Sequence, residues 1–236
     1  MADDLLVVIP TRGRPGAIPE IMAAWDETGA TADLLFCVDK DDPELAAYKQ
    51  RAKSLADDER VRFVFWARKR LCGTLNQAAV KNAGDYRFLA FMGDDHRPRV
   101  ADRPWDERFR ECLSGGPGIV YGNDLLQGDK MATAVAMTSD IVTTLGYFCP
   151  PQLEHLCADL CWIDWGKGMQ RITYLDDVVI EHLHPAAGKA ETDAGYEEAN
   201  SSEQVSKDAA AYYAYRDEGG LAADLDKLRR LVAESQ

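Results

Sequence analysis

The 236-residue chain predicts an α/β fold with a mostly parallel central sheet and helices on both faces. Two observations lead there. Short, continuous apolar runs alternate with segments of helical spacing, and such runs suit strands buried on both sides. The spacing between runs is short, as in repeated strand–helix–strand units.

The elements follow in order. Residues 5–9, "LLVVI", form the first strand, ended by Pro10. Residues 18–27 have helical spacing. Residues 33–38 are the second strand, with a polar exit from Asp39 to Pro43. Residues 44–56 read as helix, 61–66 as the third strand, 71–82 as helix and 87–92 as the fourth strand. Beyond residue 100 the pattern changes. Gly115-Gly116-Pro117-Gly118 is a loop, and 119–121 and 131–137 are shorter strands. Residues 139–145 form a helix opened by a capping serine. Residues 153–165 are helical. Residues 172–183 are a strand region interrupted by Asp176-Asp177. Residues 185–202, rich in Ala, Gly, Glu and Ser, form a mobile loop. The tail from residue 203 is helical and broken at Gly219-Gly220.

Composition narrows the function. A formal net charge of −13 argues against electrostatic capture of bulk nucleic acid. The basic residues are nonetheless clustered at strand ends, as Arg12 with Arg14 and as Arg68-Lys69-Arg70. A small anion is the partner such clusters suit. No stretch is long and apolar enough to cross a bilayer, and the acidic N-terminus is no secretory signal. The six cysteines make no CxxC pair, and Cys37, Cys72, Cys112, Cys157 and Cys161 stand in apolar contexts. They read as reduced core residues of a cytoplasmic protein, with Cys157 and Cys161 on one helical face.

The most informative segment is Gly93-Asp94-Asp95-His96, at the end of the fourth strand. Two adjacent carboxylates there repel each other and lose hydration. A divalent cation relieves both costs, and Mg²⁺ or Mn²⁺ would share its shell with a substrate's phosphates. A solvated acidic turn is the plainer alternative. Ligands of such sheets bind beyond the carboxyl ends of the strands. The exits at Thr11-Arg12-Gly13-Arg14, at 39–42 and at 93–96 should therefore meet in one crevice.

Neither the dinucleotide fingerprint GxGxxG nor the phosphate loop GxxxxGK[ST] follows the first strand. Instead "VVIPTRGRP", "FCVDKDD", "LCGTLNQAA", "FLAFMGDDHRP", "ADLCWID" and "VVIEHLHP" occur in that order. In this the chain resembles the metal-dependent glycosyltransferases of the GT-A fold, in their large inverting family. The resemblance spans roughly residues 5 to 185. Small stand-alone enzymes of this kind occur in bacteria and their phages.

The resemblance implies a Rossmann-like GT-A domain over 1–185, with a nucleotide-binding half, 1–100, and an acceptor half, 101–185. Residues 186–236 would be a lid loop and a helical tail. It places Pro10, Thr11, Arg12 and Arg14 near ribose and phosphate, and Asp39 on the base. Arg70, Gly73 and Asn76 would serve the phosphates at a helix start, with capping by Thr74 as the bland alternative. Asp94 would touch ribose or sugar. The family's Asp-x-Asp metal motif is degenerate here, with Gly93 at its first position and Asp95 retained as the ligand. His182 and His184, two apart on a strand and so on one face, would complete the metal shell, His182 being favoured. The family's catalytic Glu-Asp pair corresponds to Ala158-Asp159, so Asp159 would be the general base. His155 could pair with it, and Asp164 is the fallback. Trp162 and Trp165 stack on sugars or belong to the core.

The implied activity is inverting transfer of a hexose from a nucleotide diphosphate sugar, a UDP-sugar by preference, to a hydroxyl. The cofactor would be Mn²⁺ or Mg²⁺. A glycan, a small molecule, a protein or a hydroxylated DNA base could be the acceptor. Two other readings stay open: a non-catalytic nucleotide-sugar-binding relative, and a sugar-1-phosphate nucleotidyltransferase.

Overall fold

The computed structural model describes residues 4–235. Met1, Ala2, Asp3 and Gln236, at the ends of the two expected units, lie outside the described residues. The first half runs β1 (Leu5–Thr11), α1 (Ala17–Thr28), β2 (Asp33–Asp39), α2 (Leu45–Ser54), β3 (Val61–Trp66), α3 (Arg70–Asn82) and β4 (Phe88–Phe91). Then come β5 (His96–Pro98), α4 (Trp105–Leu113), β6 (Ile119–Asn123), β7 (Val135–Thr138), α5 (Ser139–Leu145), α6 (Ala158–Gly168) and β8 (Ile172–His182). The chain closes with α7 (Ala194–Ala199), α8 (Ser202–Asp217) and α9 (Gly220–Glu234).

The strands form one eight-stranded sheet in the order β3-β2-β1-β4-β7-β6-β8-β5. The β3-β2-β1-β4 half is parallel throughout. The β4–β7, β7–β6 and β8–β5 pairs are antiparallel, and β6–β8 is parallel. The α/β fold with a mostly parallel sheet is thus the one the sequence predicts.

Strand alternation explains the continuous apolar runs. Leu6 and Val8 of β1 point to one face, with Leu35 and Cys37 of β2, under α3, α5 and α6. Leu5, Val7 and Ile9 point to the other, with Leu34, Phe36 and Val38, under α1 and α4. The inner strands β1, β2 and β4 are therefore apolar at nearly every position, because both faces are covered. The tail shares the first of these cores, with Tyr212, Tyr215 and Leu228 buried beside Trp165.

Several expectations need correction. The helix over 153–165 starts only at Ala158, because Cys157 takes a left-handed φ of 66°. Residues 154–156 form a loop whose three backbone N–H groups donate to the Asp208 carboxylate, at 2.8–3.0 Å. Cys112 is exposed and Cys157 half-buried, so these two are not core residues. The strand over 131–137 begins only at Val135. The sequence reading passed over α4, although Trp105, Phe109 and Leu113 are spaced for one buried helical face. The stretch 185–202 holds a 3₁₀ turn, Pro185–Ala187, and α7. The Asp176-Asp177 interruption is real. Gly122 pairs with Leu175 and Asn123 with Val179, so the residues between bulge out of β8.

Among the described residues, no helix is long and apolar enough to cross a membrane.

Candidate functional site

Because β1, β2 and β4 run parallel, their carboxyl ends lie side by side. A cleft of about 460 Å³ opens there. Pro10, Thr11, Arg12, Arg14, Asp39, Arg70, Asp94, Asp95, Asp159, His182 and His184 all line it, so most of the expected site residues converge.

The β1 and β4 ends are joined by hydrogen bonds. Thr11 Oγ1 donates to Asp94 Oδ2 at 2.7 Å, and Arg14 Nη1 donates to Asp94 Oδ1 at 3.0 Å. Burial pushes the Asp94 carboxyl up to about 6, with the Asp95 charge adding and Arg14 and Thr11 opposing. Asp39 accepts from Arg12 Nη1 at 3.2 Å and pairs with Arg68 Nε at 3.6 Å. Its carboxyl is raised, mainly by burial, against the pull of Arg12.

The candidate metal centre is built on β5 and β8. Their antiparallel register sets His96 opposite His182, and the two rings stack at 4.2 Å. Asp95 lies against both, Oδ1 being 3.1 Å from His96 Nδ1 and Oδ2 3.3 Å from His182 Nε2. Leu183 N–H donates to Asp95 O at 2.9 Å and holds the two segments together. The ligand atoms of Asp95, His96 and His182 all lie within 4.8 Å of one another. Burial alone would raise the Asp95 carboxyl, but the two imidazoles hold it well below the usual carboxylate range. Burial lowers His96, favouring the neutral form that ligates metals.

These residues fit a divalent cation. His96 turns Nδ1 and His182 turns Nε2 toward Asp95, and the opposite nitrogens, His96 Nε2 and His182 Nδ1, are buried without a partner among the described residues. One carboxylate and two imidazoles suit a first-row transition cation such as Mn²⁺ better than Mg²⁺, which prefers oxygen alone. His184 also lines the cleft, its ring 4.8 Å from that of His182, but it is not one of the three grouped residues. Alternation along one strand pointed to His184, yet β8 ends at His182. His96 came from a second strand. The sign of it in the sequence was an imidazole directly beside the two carboxylates.

Gly93 explains why the Asp-x-Asp pattern is broken. A Cβ at residue 93 would stand 2.5 Å from Asp95 Oδ1 and 2.9 Å from His96 Nδ1. The Gly93 N–H itself donates to His96 Nδ1 at 3.1 Å. The imidazole therefore occupies the space that a side chain at 93 would need.

Asp159 sits in the first turn of α6 and faces the cleft. Its Oδ1 accepts from Leu160 N–H at 2.9 Å. Burial raises its carboxyl, with backbone N–H groups and His182 opposing. Asp164 does not line the cleft and accepts instead from Tyr212 Oη at 2.8 Å, which removes it as a fallback base. His155 lines the cleft. Trp162 also lines it while its Nε1 donates to Phe148 O, whereas Trp165 belongs to the core and donates to Tyr215 Oη.

Gly73 and Asn76 do not line the cleft. The helix α3 begins at Arg70, so Gly73 lies inside its first turn, where a Cβ would meet Lys69 Cβ at 2.9 Å. Asn76 Oδ1 accepts the N–H groups of Phe148 and Cys149, and its Nδ2 donates to Cys149 O. Each position thus has a local packing role. Thr74 lines the cleft, and no side chain caps α3.

The sequence did not single out α7. Asp193 caps this helix by accepting from Tyr196 N–H at 2.8 Å, and it also accepts from Arg14 Nε and Nη2. Glu198 accepts from Arg68 Nη2 at 2.7 Å and pairs with Arg70 Nη1 at 3.5 Å. Composition marked the segment as a covering loop but gave no sign of which residues reach the arginines.

No family model matches the chain, and no curated protein matches it. Solved structures do share its fold. One is the mannosyltransferase PcManGT from Pyrobaculum calidifontis, in complex with GDP-Man and Mn²⁺. It is 13% identical with a TM-score of 0.60, over 100% of this chain and 75% of that one. Another is S. aureus TarS 1-349 in complex with UDP-GlcNAc, 11% identical with a TM-score of 0.58, over 92% of this chain and 75% of that one. The same TarS segment with UDP is 10% identical at 0.59, over 92% and 73%. At these identities the likeness is one of fold.

Proposed function

We propose that the chain is a metal-dependent inverting glycosyltransferase that moves a hexose from a nucleotide diphosphate sugar, a UDP-sugar by preference, to a hydroxyl. The observation that carries this reading is the meeting in one cleft of Asp95, His96 and His182 with Asp159 and four arginines. The fold shared with structures that hold GDP-Man, UDP-GlcNAc and UDP supports it.

Residues 1–100 supply the donor side in this reading. Asp39 takes a base N–H, Arg12 and Arg14 serve ribose and phosphate, and Arg68 and Arg70 lie near the diphosphate. Asp95, His96 and His182 would hold Mn²⁺, which when bound neutralises charge on the departing diphosphate. Residues 101–185 supply the acceptor side. Asp159 takes the proton of the acceptor hydroxyl as that oxygen bonds to the anomeric carbon. The bond from that carbon to the diphosphate oxygen breaks, its electron pair leaves with the nucleotide, and configuration inverts. The segment 186–202 covers the donor and excludes water.

The test is thermal melting with a panel of UDP- and GDP-sugars, each with Mn²⁺ and with chelator. Ligand binding to the folded state raises the midpoint. A Mn²⁺-dependent rise with one nucleotide class, lost in Asp95→Ala, is expected. Equal midpoints with and without Mn²⁺ in every case would overturn the reading.

A further inference from the structure

The cleft has two unlike ends. Along the sheet, β4 lies between β1 and β7. The charged groups Arg12, Asp39 and Arg68 stand on the β1 side of it, where β1, β2 and β3 end. On the other side Val135 pairs with Phe91, so residues 131–134 lie opposite the carboxyl end of β4. There, and around Asp159 at the start of α6, the lining side chains are Phe91, Met131, Leu156, Cys157, Leu160 and Trp162. Phe91 and Trp162 are buried, with ring centroids 5.6 Å apart, and the other four are half-buried.

The polar groups at this end are mostly committed elsewhere. Trp162 Nε1 donates to Phe148 O at 2.8 Å, so its one donor is spent on the core. Thr133 also lines the cleft, and its Oγ1 donates to Asp124 Oδ2 at 2.9 Å. Asp124 Oδ1 in turn accepts from the N–H groups of Leu126, Gln127 and Gly128 at 2.7–2.9 Å, which fixes the loop that carries Met131. Besides Asp159 and the weakly bonding Cys157 thiol, His155 is left as a polar side chain of this wall. Burial lowers its imidazole and favours the neutral form.

Such a lining discriminates between acceptors. A sugar acceptor carries several hydroxyls besides the one that reacts. Each would give up water here without finding a partner, and that is unfavourable. An apolar body makes no such demand, and it gains in proportion to the surface it buries.

We propose, resting on the transferase reading above, that the acceptor is a small uncharged alcohol whose hydroxyl stands on an apolar body, aromatic or aliphatic. The body packs on Phe91, Met131, Leu156, Leu160 and Trp162, and the hydroxyl faces Asp159. The acceptor oxygen bonds to the anomeric carbon and its proton passes to Asp159. The nucleoside diphosphate departs with the electron pair of the broken bond.

The experiment uses the full chain with methionine ¹³C-labelled at its methyl group. Met131 reports from the wall, and Met22, buried on the opposite face of the sheet, is the reference. Met131→Leu assigns the signal. Benzyl alcohol, 1-hexanol and methyl α-glucoside are titrated separately, without donor or metal. A saturable shift of the Met131 methyl with an alcohol, none with the glucoside, and Met22 unmoved are expected. The alcohol that saturates at lower concentration tells an aromatic body from an aliphatic one. In Leu156→Gln the midpoint should rise about threefold or more, and Leu160→Gln repeats the test on α6. A shift that fails to saturate with both alcohols, equal binding of the glucoside, or a midpoint unchanged in both variants overturns the acceptor class. With Mn²⁺ and the nucleotide sugar selected by melting, the chain should glycosylate the better-bound alcohol. Transfer to the glucoside, or to neither, overturns the acceptor class while Mn²⁺-dependent nucleotide binding keeps the transferase reading. Alcohol binding without any such nucleotide binding removes the transferase reading, and the acceptor role with it.

Discussion

Arg14 donates to both carboxylate oxygens of Asp193, at 2.5 and 2.9 Å, while its third nitrogen reaches Asp94 at 3.0 Å. One guanidinium thus fastens α7 to the end of β1. In the proposed reading, a donor diphosphate at this wall has to compete with a carboxylate already there.

Asp193→Asn should therefore tighten binding of UDP or GDP in the presence of Mn²⁺. The pair is half-exposed, and such pairs are worth about 0.2–1 kcal/mol, so a gain of up to about fivefold is expected by calorimetry. Weaker binding in the variant would mean that Asp193 helps to hold the nucleotide instead.

Asp159→Asn preserves shape and removes the proposed base. Transfer should fall by roughly 10²–10⁴-fold, with nucleotide affinity near wild type. The base acts ionised, and burial raises its carboxyl. The wild-type rate should then decline as pH drops, from above the ordinary aspartate value of about 3.9. A pH–rate profile with the same acid limb in wild type and variant would assign that limb to another group.

Gly93→Asp would recreate the familiar Asp-x-Asp pattern, yet it should damage the site. Its Cβ would collide with Asp95 Oδ1 and His96 Nδ1. Disturbing such ligand supports typically costs about 10–100-fold in metal affinity. Mn²⁺ titration followed by electron paramagnetic resonance should show that loss, and a similar one in His96→Ala. His184→Ala should bind Mn²⁺ as wild type does, since His184 lies outside the three grouped residues. If His184→Ala matches His96→Ala, the ligand set is misassigned.

Asn76→Ala should lower stability without touching the nucleotide. It strands the N–H groups of Phe148 and Cys149 and the carbonyl of Cys149. Unpaired buried groups cost about 1–3 kcal/mol each. At about 2–4 °C per kcal/mol in a chain of this size, the three stranded groups predict a midpoint fall of at least about 6 °C. Calorimetry at low temperature should return the wild-type nucleotide affinity, and a large drop there would restore Asn76 to the binding site.

Strand and helix order in the first hundred residues was legible because both faces of the sheet are buried. That burial forces continuous apolar runs such as 5–9 and 33–38. Parallel order then sends every carboxyl end the same way, so the meeting of Thr11, Asp39 and Asp95 followed from local pattern alone. The start of α6 was not legible. It depends on Asp208, far along the chain, gathering three backbone N–H groups, and on one left-handed residue at Cys157.

The sequence by itself determined the parallel half of the sheet, the crevice at its carboxyl ends, and Asp95 beside it. These come from periodicity and from residues that sit where strands end, whereas Asp159 was marked only by the family resemblance. Only the tertiary structure decided the partners. The register of β5 against β8 set His96 opposite His182, and the His96 ring leaves no room for a side chain at 93. The return of α7 supplied Asp193 and Glu198 to the arginines. Such choices rest on contacts between segments distant in sequence, and local hydrophobic pattern carries no record of which distant segments will meet.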